Sequence, residues 1–187
     1  MYRILCALFC LFWTAPAFGQ ALSVFGQSDG SLCYEQSRDG SSPEAALVTC
    51  TRALAGVMTD TERAYTHVNR SINHNLLGNF DDALADIEAA FDLVPELPEA
   101  YLSRGNTYYL QHHHADAIAE YTTALELEVS DAHKAYFNRA LAYEELKEYE
   151  KAYRDFKSAL QERSSFKPAQ ERIELYKTHF EGESWLS

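Results

Sequence analysis

Three sets of small residues recur in this chain with one period. Ala83, Ala117 and Ala152 are spaced by 34 and then 35 residues. Ala90, Ala124 and Ala159 follow the same steps, and so do Ser71, Gly105 and Ala140. Chance aligns one such set; three in one frame mark a tandem of similar units. A unit of this length cannot bury its apolar face alone, so neighbours must stack. Within a unit, apolar and small residues return at three- and four-residue steps, as in Tyr101, Gly105 and Tyr108, or Ala117, Tyr121 and Ala124. That is helical periodicity. Each unit therefore reads as two helices and a tight turn, and the fold class is all-α. Gly78 and Asn79, which both tolerate positive φ, are expected to make the first turn. Pro98 and Pro168 stand where later helices should begin, because a missing N–H is harmless there.

Charge narrows the partners. The 187 residues hold 16 Lys and Arg against 28 Asp and Glu, a formal net charge of −12. Nucleic acid needs a basic stripe, so it is not an expected partner. An anionic lipid surface is equally disfavoured. The first residues read as an export address. Met1-Tyr2-Arg3 is a positive start, Ile4 to Trp13 is apolar, Pro16 breaks any helix, and Ala15, Ala17 and Gly19 are small. This is the pattern of a secretory signal over residues 1–19, with cleavage expected after Gly19. The apolar run is too short to span a bilayer, so no membrane insertion is expected after cleavage. The expected location is periplasmic or secreted. Residues 20–31, with Gly26, Ser28, Asp29, Gly30 and Ser31, read as a flexible leader.

Cys6 and Cys10 would leave with the signal, while Cys33 and Cys50 stay. Two cysteines in an oxidising compartment read as one disulfide. Closing such a loop contributes about 3 kcal/mol in the chain-entropy model. The competing reading, a reactive pair or a metal site, lacks the close C-x-x-C spacing such sites favour.

The first full unit carries Asn69-Arg70-Ser71, Gly78-Asn79-Phe80, Ala83-Leu84, Ala90 and Pro95. The second carries Ser103-Arg104-Gly105, Tyr108, Ala117-Ile118, Tyr121 and Ala124. The third carries Asn138-Arg139-Ala140, Tyr143, Tyr149, Ala152, Phe156 and Ala159. This pattern resembles the tetratricopeptide repeat (TPR), a helix–turn–helix unit of 34 residues. The resemblance covers about residues 61–165. It implies a right-handed superhelical stack of three units at 61–97, 98–132 and 133–166. Departures exist: Val129 and Ser164 replace the proline expected at the end of the second and third units, and His112-His113-His114 replaces the usual Gly-Asp-aromatic turn. A partial unit over 32–60 precedes the three. Pro43–Leu54 would be its second helix, with Ala46 and Ala53 in the alanine places, and residues 32–37 a stunted first helix. In that frame Cys33 and Cys50 fall on opposite helices, where a disulfide would clamp a unit too short to hold itself. Residues 167–187 read as a cap helix and tail, as an open-ended stack requires. The arrangement is similar to small exported TPR proteins of Gram-negative bacteria.

Arg70, Arg104 and Arg139 hold equivalent places in the first helices, and Asp86, Glu120 and Asp155 follow 16 residues later in the second helices. The offset predicts three Arg–carboxylate pairs; the other reading is an arginine row for anionic ligands. The family's geometry implies a concave face lined by first helices. That face would carry Val68, Ile72, Leu102, Asn106, Tyr109, Phe137, Asn138 and Leu141, suited to an extended or helical peptide. The competing reading is that several of these simply pack in the core. Clustered Lys and Asn of a carboxylate-binding clamp are not expected on this face. His112, His113 and His114 are the candidate metal ligands, since imidazole suits zinc, copper or nickel. Neighbours on one turn cannot all face one ion, and a fixed site draws ligands from another segment. The expectation is an exposed turn without metal. His67 and His74 lie seven apart, too far for shared ligation without a third residue. The chain has no G-x-S-x-G, H-E-x-x-H, phosphate-cradling G-x-x-x-x-G-K or G-x-G-x-x-G. A non-enzymatic, cofactor-free scaffold that binds an unidentified protein or peptide in the envelope is therefore expected. The alternative is a small metal- or ligand-binding envelope protein using the His112–His114 turn.

Overall fold

A computed structural model describes residues 28–182. The expected signal, the leader up to residue 27 and the tail from residue 183 lie outside the described residues. Among those described there are nine helices and no strand. They are α1 (Asp29–Asp39), α2 (Pro43–Leu54), α3 (Asp60–Leu76), α4 (Phe80–Leu93), α5 (Pro98–Leu110), α6 (His114–Glu126), α7 (Ala132–Glu145), α8 (Tyr149–Glu162) and α9 (Lys167–His179). None is long and apolar enough to cross a membrane.

Successive helices pair as hairpins: α1 with α2, α3 with α4, α5 with α6 and α7 with α8. The first helices also touch in series, α1 to α3 to α5 to α7, and form one continuous inner face. Helix α9 closes the far end against α8. The chain is an all-α stack of helical hairpins.

Local chemistry sets the helix starts. Thr59 and Glu62 form a reciprocal capping box at α3, in which the Thr59 hydroxyl accepts from the Glu62 N–H and the Glu62 carboxylate accepts from the Thr59 N–H. Pro43 and Pro98 open α2 and α5, and Pro168 lies in the first turn of α9. Helix α1 begins at Asp29, three residues earlier than expected, because the Ser28 hydroxyl accepts from the Ser31 N–H and caps it. Residues 29–31 are therefore helix, and the stunted first helix is a full 11-residue one.

The periodic small residues do what their size allows. Ser71, Ala83, Ala90, Ala117, Ala124, Ala140, Ala152 and Ala159 are completely buried, and Gly105 is buried with them. Aromatics fill the spaces between. At the cap, Ile173 and Tyr176 of α9 close over Tyr153 and Phe156 of α8. The hairpin turns need one left-handed residue each. Gly78 takes it at φ 75°, and the equivalent His112 and Lys147 take it at 63° and 61°. Asn79 has an ordinary φ of −86°.

At the other end, Cys33 of α1 and Cys50 of α2 are joined by a disulfide with an S–S distance of 2.09 Å. Both cysteines are inaccessible to solvent. The Ser37 hydroxyl, one turn along α1, donates to the Cys33 carbonyl at 2.8 Å and accepts from the Asn73 amide of α3 at 2.7 Å. The covalent clamp and a buried polar contact thus fix α1 against the first full unit.

Candidate functional site

The inner face is concave. A trough of about 910 Å³ crosses the N-terminal halves of α3 and α5 and the start of α7, with α1 as its end wall. A second hollow of about 410 Å³ lies across the C-terminal halves of the same helices. Ile72 and Asn106 line both, so the two form one groove. Of the eight residues expected on this face, Val68, Ile72, Leu102 and Asn106 line the first hollow. Tyr109, Asn138 and Leu141 join Ile72 and Asn106 in the second.

Phe137 is a correction. It occupies the repeat position of Val68 and Leu102, but its ring turns into the core, 5.4 Å from the Phe156 ring and 5.3 Å from the Phe166 ring. This position borders floor and core. Val68, only 4% exposed, and Leu102 reach the groove floor while still packing inward. The longer Phe137 side chain stays partly buried and packs along the Phe156 and Phe166 rings, lining neither of these two hollows.

The centre of the groove is a fixed amide. Asn106 Oδ1 accepts from the Tyr121 hydroxyl at 2.9 Å and from Asn138 Nδ2 at 2.8 Å. Burial pushes the Tyr121 phenol well up, so it stays a neutral donor. With its oxygen held twice, Asn106 presents its NH₂ group to the groove. Asn69, Asn106 and Asn138 all border the hollows, so the face holds more amides than expected. Its cations are few and mostly committed. Lys134 Nζ donates to Asp131 at 2.6 Å and Arg52 Nε to Asp29 at 2.7 Å. Arg38 lies over the Tyr34 ring.

The end wall was not legible in the repeat pattern. Tyr34, Ser37 and Arg38 of α1, the residues 56–58, and Glu62 and Tyr65 of α3 all line the trough. Tyr65 carried one signal: it shares a repeat position with Glu99 and Lys134, which also line it.

The three arginines do not face the groove. Arg70 grips Asp86 with two bonds, Nε to Oδ2 at 2.8 Å and Nη2 to Oδ1 at 2.6 Å. Arg139 grips Asp155 the same way at 2.7 and 2.9 Å. Arg104 Nε lies 3.0 Å from Glu120 and its Nη1 donates to Glu88 at 3.1 Å. Each arginine also reaches the second helix of the preceding unit: Arg70 to Thr51, Arg104 to Glu88, Arg139 to Thr122. Burial pushes the Asp86 carboxyl up, but hydrogen bonds from His67 and Arg70 outweigh it and hold the group below the usual carboxylate range. His67 Nδ1 lies 2.8 Å from Asp86 Oδ1. That contact spans 19 residues and repeats in no other unit, so the periodic pattern could not show it.

The histidines of the turn pack on one another and on Tyr109. His112 and His114 stand edge to face at 5.8 Å, and His114 packs edge-on against Tyr109 at 5.3 Å. Among the described residues no group of three or more His, Cys, Asp or Glu is placed to hold a metal ion.

Models of the tetratricopeptide repeat match residues 77–121 and 133–166. These two stretches are tetratricopeptide repeats. A bovine protein, Protein SGT1 homolog (Bos taurus), is 34% identical to this TPR chain over 94 residues, covering 48% of this chain and 26% of that one. Sperm-associated antigen 1A of Danio rerio is 38% identical over 92 residues, covering 45% and 21%. The matched TPR segment thus spans about a quarter of the length of these curated relatives. Among solved structures, TTC0263, a thermophilic TPR protein of Thermus thermophilus, superposes with a TM-score of 0.66 at 21% identity, covering 77% of each chain. The first TPR of Spaghetti (RPAP3), bound to the HSP90 peptide SRMEEVD, superposes with a TM-score of 0.59 at 21% identity, covering 67% of this chain and 98% of that one. At such identities these structures speak to the TPR fold alone.

Proposed function

We propose that this chain is a non-enzymatic scaffold of the bacterial envelope that holds an extended segment of another protein along its inner groove. The carrying observation is the Asn106 amide, fixed at the centre of a groove whose floor is apolar on both sides. An extended peptide offers a backbone carbonyl to such an amide and alternate side chains to such a floor. The kinship with TPR proteins, one of them solved with a peptide bound, supports this class of partner. The net charge of −12 favours a neutral or cationic partner through steering. The signal-like residues 1–19 and the Cys33–Cys50 disulfide support an exported location.

The test is an array of ten-residue peptides with alternating apolar side chains and neutral or positive charge. Measured well below the melting temperature, Asn106→Ala should reduce capture by about tenfold, the worth of one well-placed hydrogen bond to a peptide; stability should also fall by about 1–3 kcal/mol, because the buried Tyr121 hydroxyl loses its acceptor. Peptide capture that ignores Asn106→Ala and Ile72→Asp refutes the groove reading. Cell fractionation with N-terminal sequencing tests the location; a chain retained in the cytosol with Met1 intact refutes it.

A further inference from the structure

The trough has a neighbour in sequence that matches it. Ser28, Asp29, Gly30 and Ser31, the start of α1, all line the first hollow. Ser28 is extended, with φ −62° and ψ 150°, so the chain enters the helix from the wall of the trough. The seven residues before it, 21–27, read Ala-Leu-Ser-Val-Phe-Gly-Gln and carry no charge. We propose that residues 21–27 fold back into the inner groove and occupy it, so that an outside polypeptide binds by displacing them. This rests on the groove being the peptide-binding surface.

Three features of the site fit this occupant. The mouth exposes large apolar side chains: Tyr34 is 52% exposed, Tyr65 40%, and Val57 fully. Exposed apolar side chains gathered at one mouth above the apolar floor of Val68, Ile72 and Leu102 mark a surface that gains from being covered. The segment supplies what would cover it. In an extended conformation Leu22 and Val24 point to one face, towards the floor, and Phe25 to the other, towards the rim tyrosines. Gly26 gives the chain freedom to reverse between this segment and α1.

Reach and charge agree. Seven extended residues span about 24 Å, and packed helices lie about 8–10 Å apart, so the segment can cross α3 and reach α5. Two pairs of charges around the trough neutralise each other, Asp29–Arg52 and Asp131–Lys134, so an uncharged strand leaves those pairs intact and adds no unmatched charge. Tethering supplies an effective concentration of order millimolar, so even weak intrinsic affinity keeps the groove filled.

The experiment places the photo-crosslinker p-benzoylphenylalanine at position 25 of the full chain and maps the products by mass spectrometry. The expected product is a cross-link within one molecule to residues 57–72 or 99–106, in a yield independent of protein concentration. Links between molecules that grow with concentration assign the groove to a second copy and overturn the proposal, as do products that avoid the groove. A second arm uses the triple variant Leu22→Asp, Val24→Asp, Phe25→Asp. A fluorescein-labelled peptide of residues 21–27 should bind this variant at least about tenfold more tightly than the unaltered chain; equal affinity overturns the proposal. The two readings separate cleanly. Array peptides that bind both chains equally leave the scaffold standing and remove self-occupancy. A groove that takes the 21–27 peptide and none of the array peptides does the reverse.

Discussion

Gly105 of α5 faces the ring of Tyr121 on α6 so closely that a methyl group added at Gly105 would lie 2.6 Å from Tyr121 Cε1. Tyr121 is 1% exposed and its hydroxyl holds Asn106, so the ring cannot swing away cheaply. Gly105→Ala gains about 1 kcal/mol of helix propensity but overpacks a filled site, which costs about 1–3 kcal/mol. We expect a net destabilisation of up to about 2 kcal/mol in urea unfolding. Peptide capture should fall too, because a displaced Tyr121 releases the groove amide. A variant as stable as the parent would show that the interface has slack.

The bond set around Asp86 predicts how acid unfolds the protein. Its folded-state pKa lies below the unfolded value, with the Arg70 and His67 hydrogen bonds overcoming burial. The stability this supplies is complete above the unfolded pKa of about 3.9 and is lost as the pH falls through the folded value. The melting temperature should therefore drop below about pH 4, and the drop should shrink in Asp86→Asn. At neutral pH, Asp86→Ala should cost about 2 kcal/mol, because the partly buried Arg70 and His67 lose their shared carboxylate and Arg70 keeps only Thr51. Thermal melts from pH 7 to pH 2.5 measure both.

Lys147 holds a left-handed backbone, at φ 61°, where the first unit has Gly78. A side chain there carries about 1 kcal/mol of strain. Lys147→Gly should raise the melting temperature by about 2–4 °C by calorimetry, leaving peptide capture unchanged. A lower melting temperature would mean that the lysine side chain outweighs its backbone.

The Cys33–Cys50 bridge joins helices of the terminal, short unit. Its removal should cost about 3 kcal/mol, localised to α1 and α2. Reduction by a dithiol should speed amide exchange over residues 29–54 first, before α7 and α8 respond. Because α1 walls the trough, peptide affinity should fall with it. Uniform loss of protection across all units would contradict this.

The repeats were legible because their constraint is steric. A buried contact between two backbones admits only Gly, Ala or Ser, so Ala83, Ala117 and Ala152 announced themselves. The arginine–carboxylate pairs were legible for a related reason: a fixed offset in each unit places both partners at matching heights on paired helices. What departs from strict repetition was hidden. Phe137 shares a position with Val68 and Leu102, yet its partly buried ring packs against Phe156 and Phe166 and lines neither hollow. His112 and Lys147 adopt a glycine-like backbone that their identities do not advertise. The trough wall at Tyr34 and Ser37 belongs to the incomplete unit, where the period had little to say.

Each inward-set arginine ties its own hairpin to the one before it, through Thr51, Glu88 and Thr122 in turn. Such stitches make the curvature a property of the empty protein. A guest then finds its cradle already shaped, and the helices that form it need lose little freedom on docking. Sequence preference would come from which strands can straighten at small entropic expense, more than from any single side chain they bear.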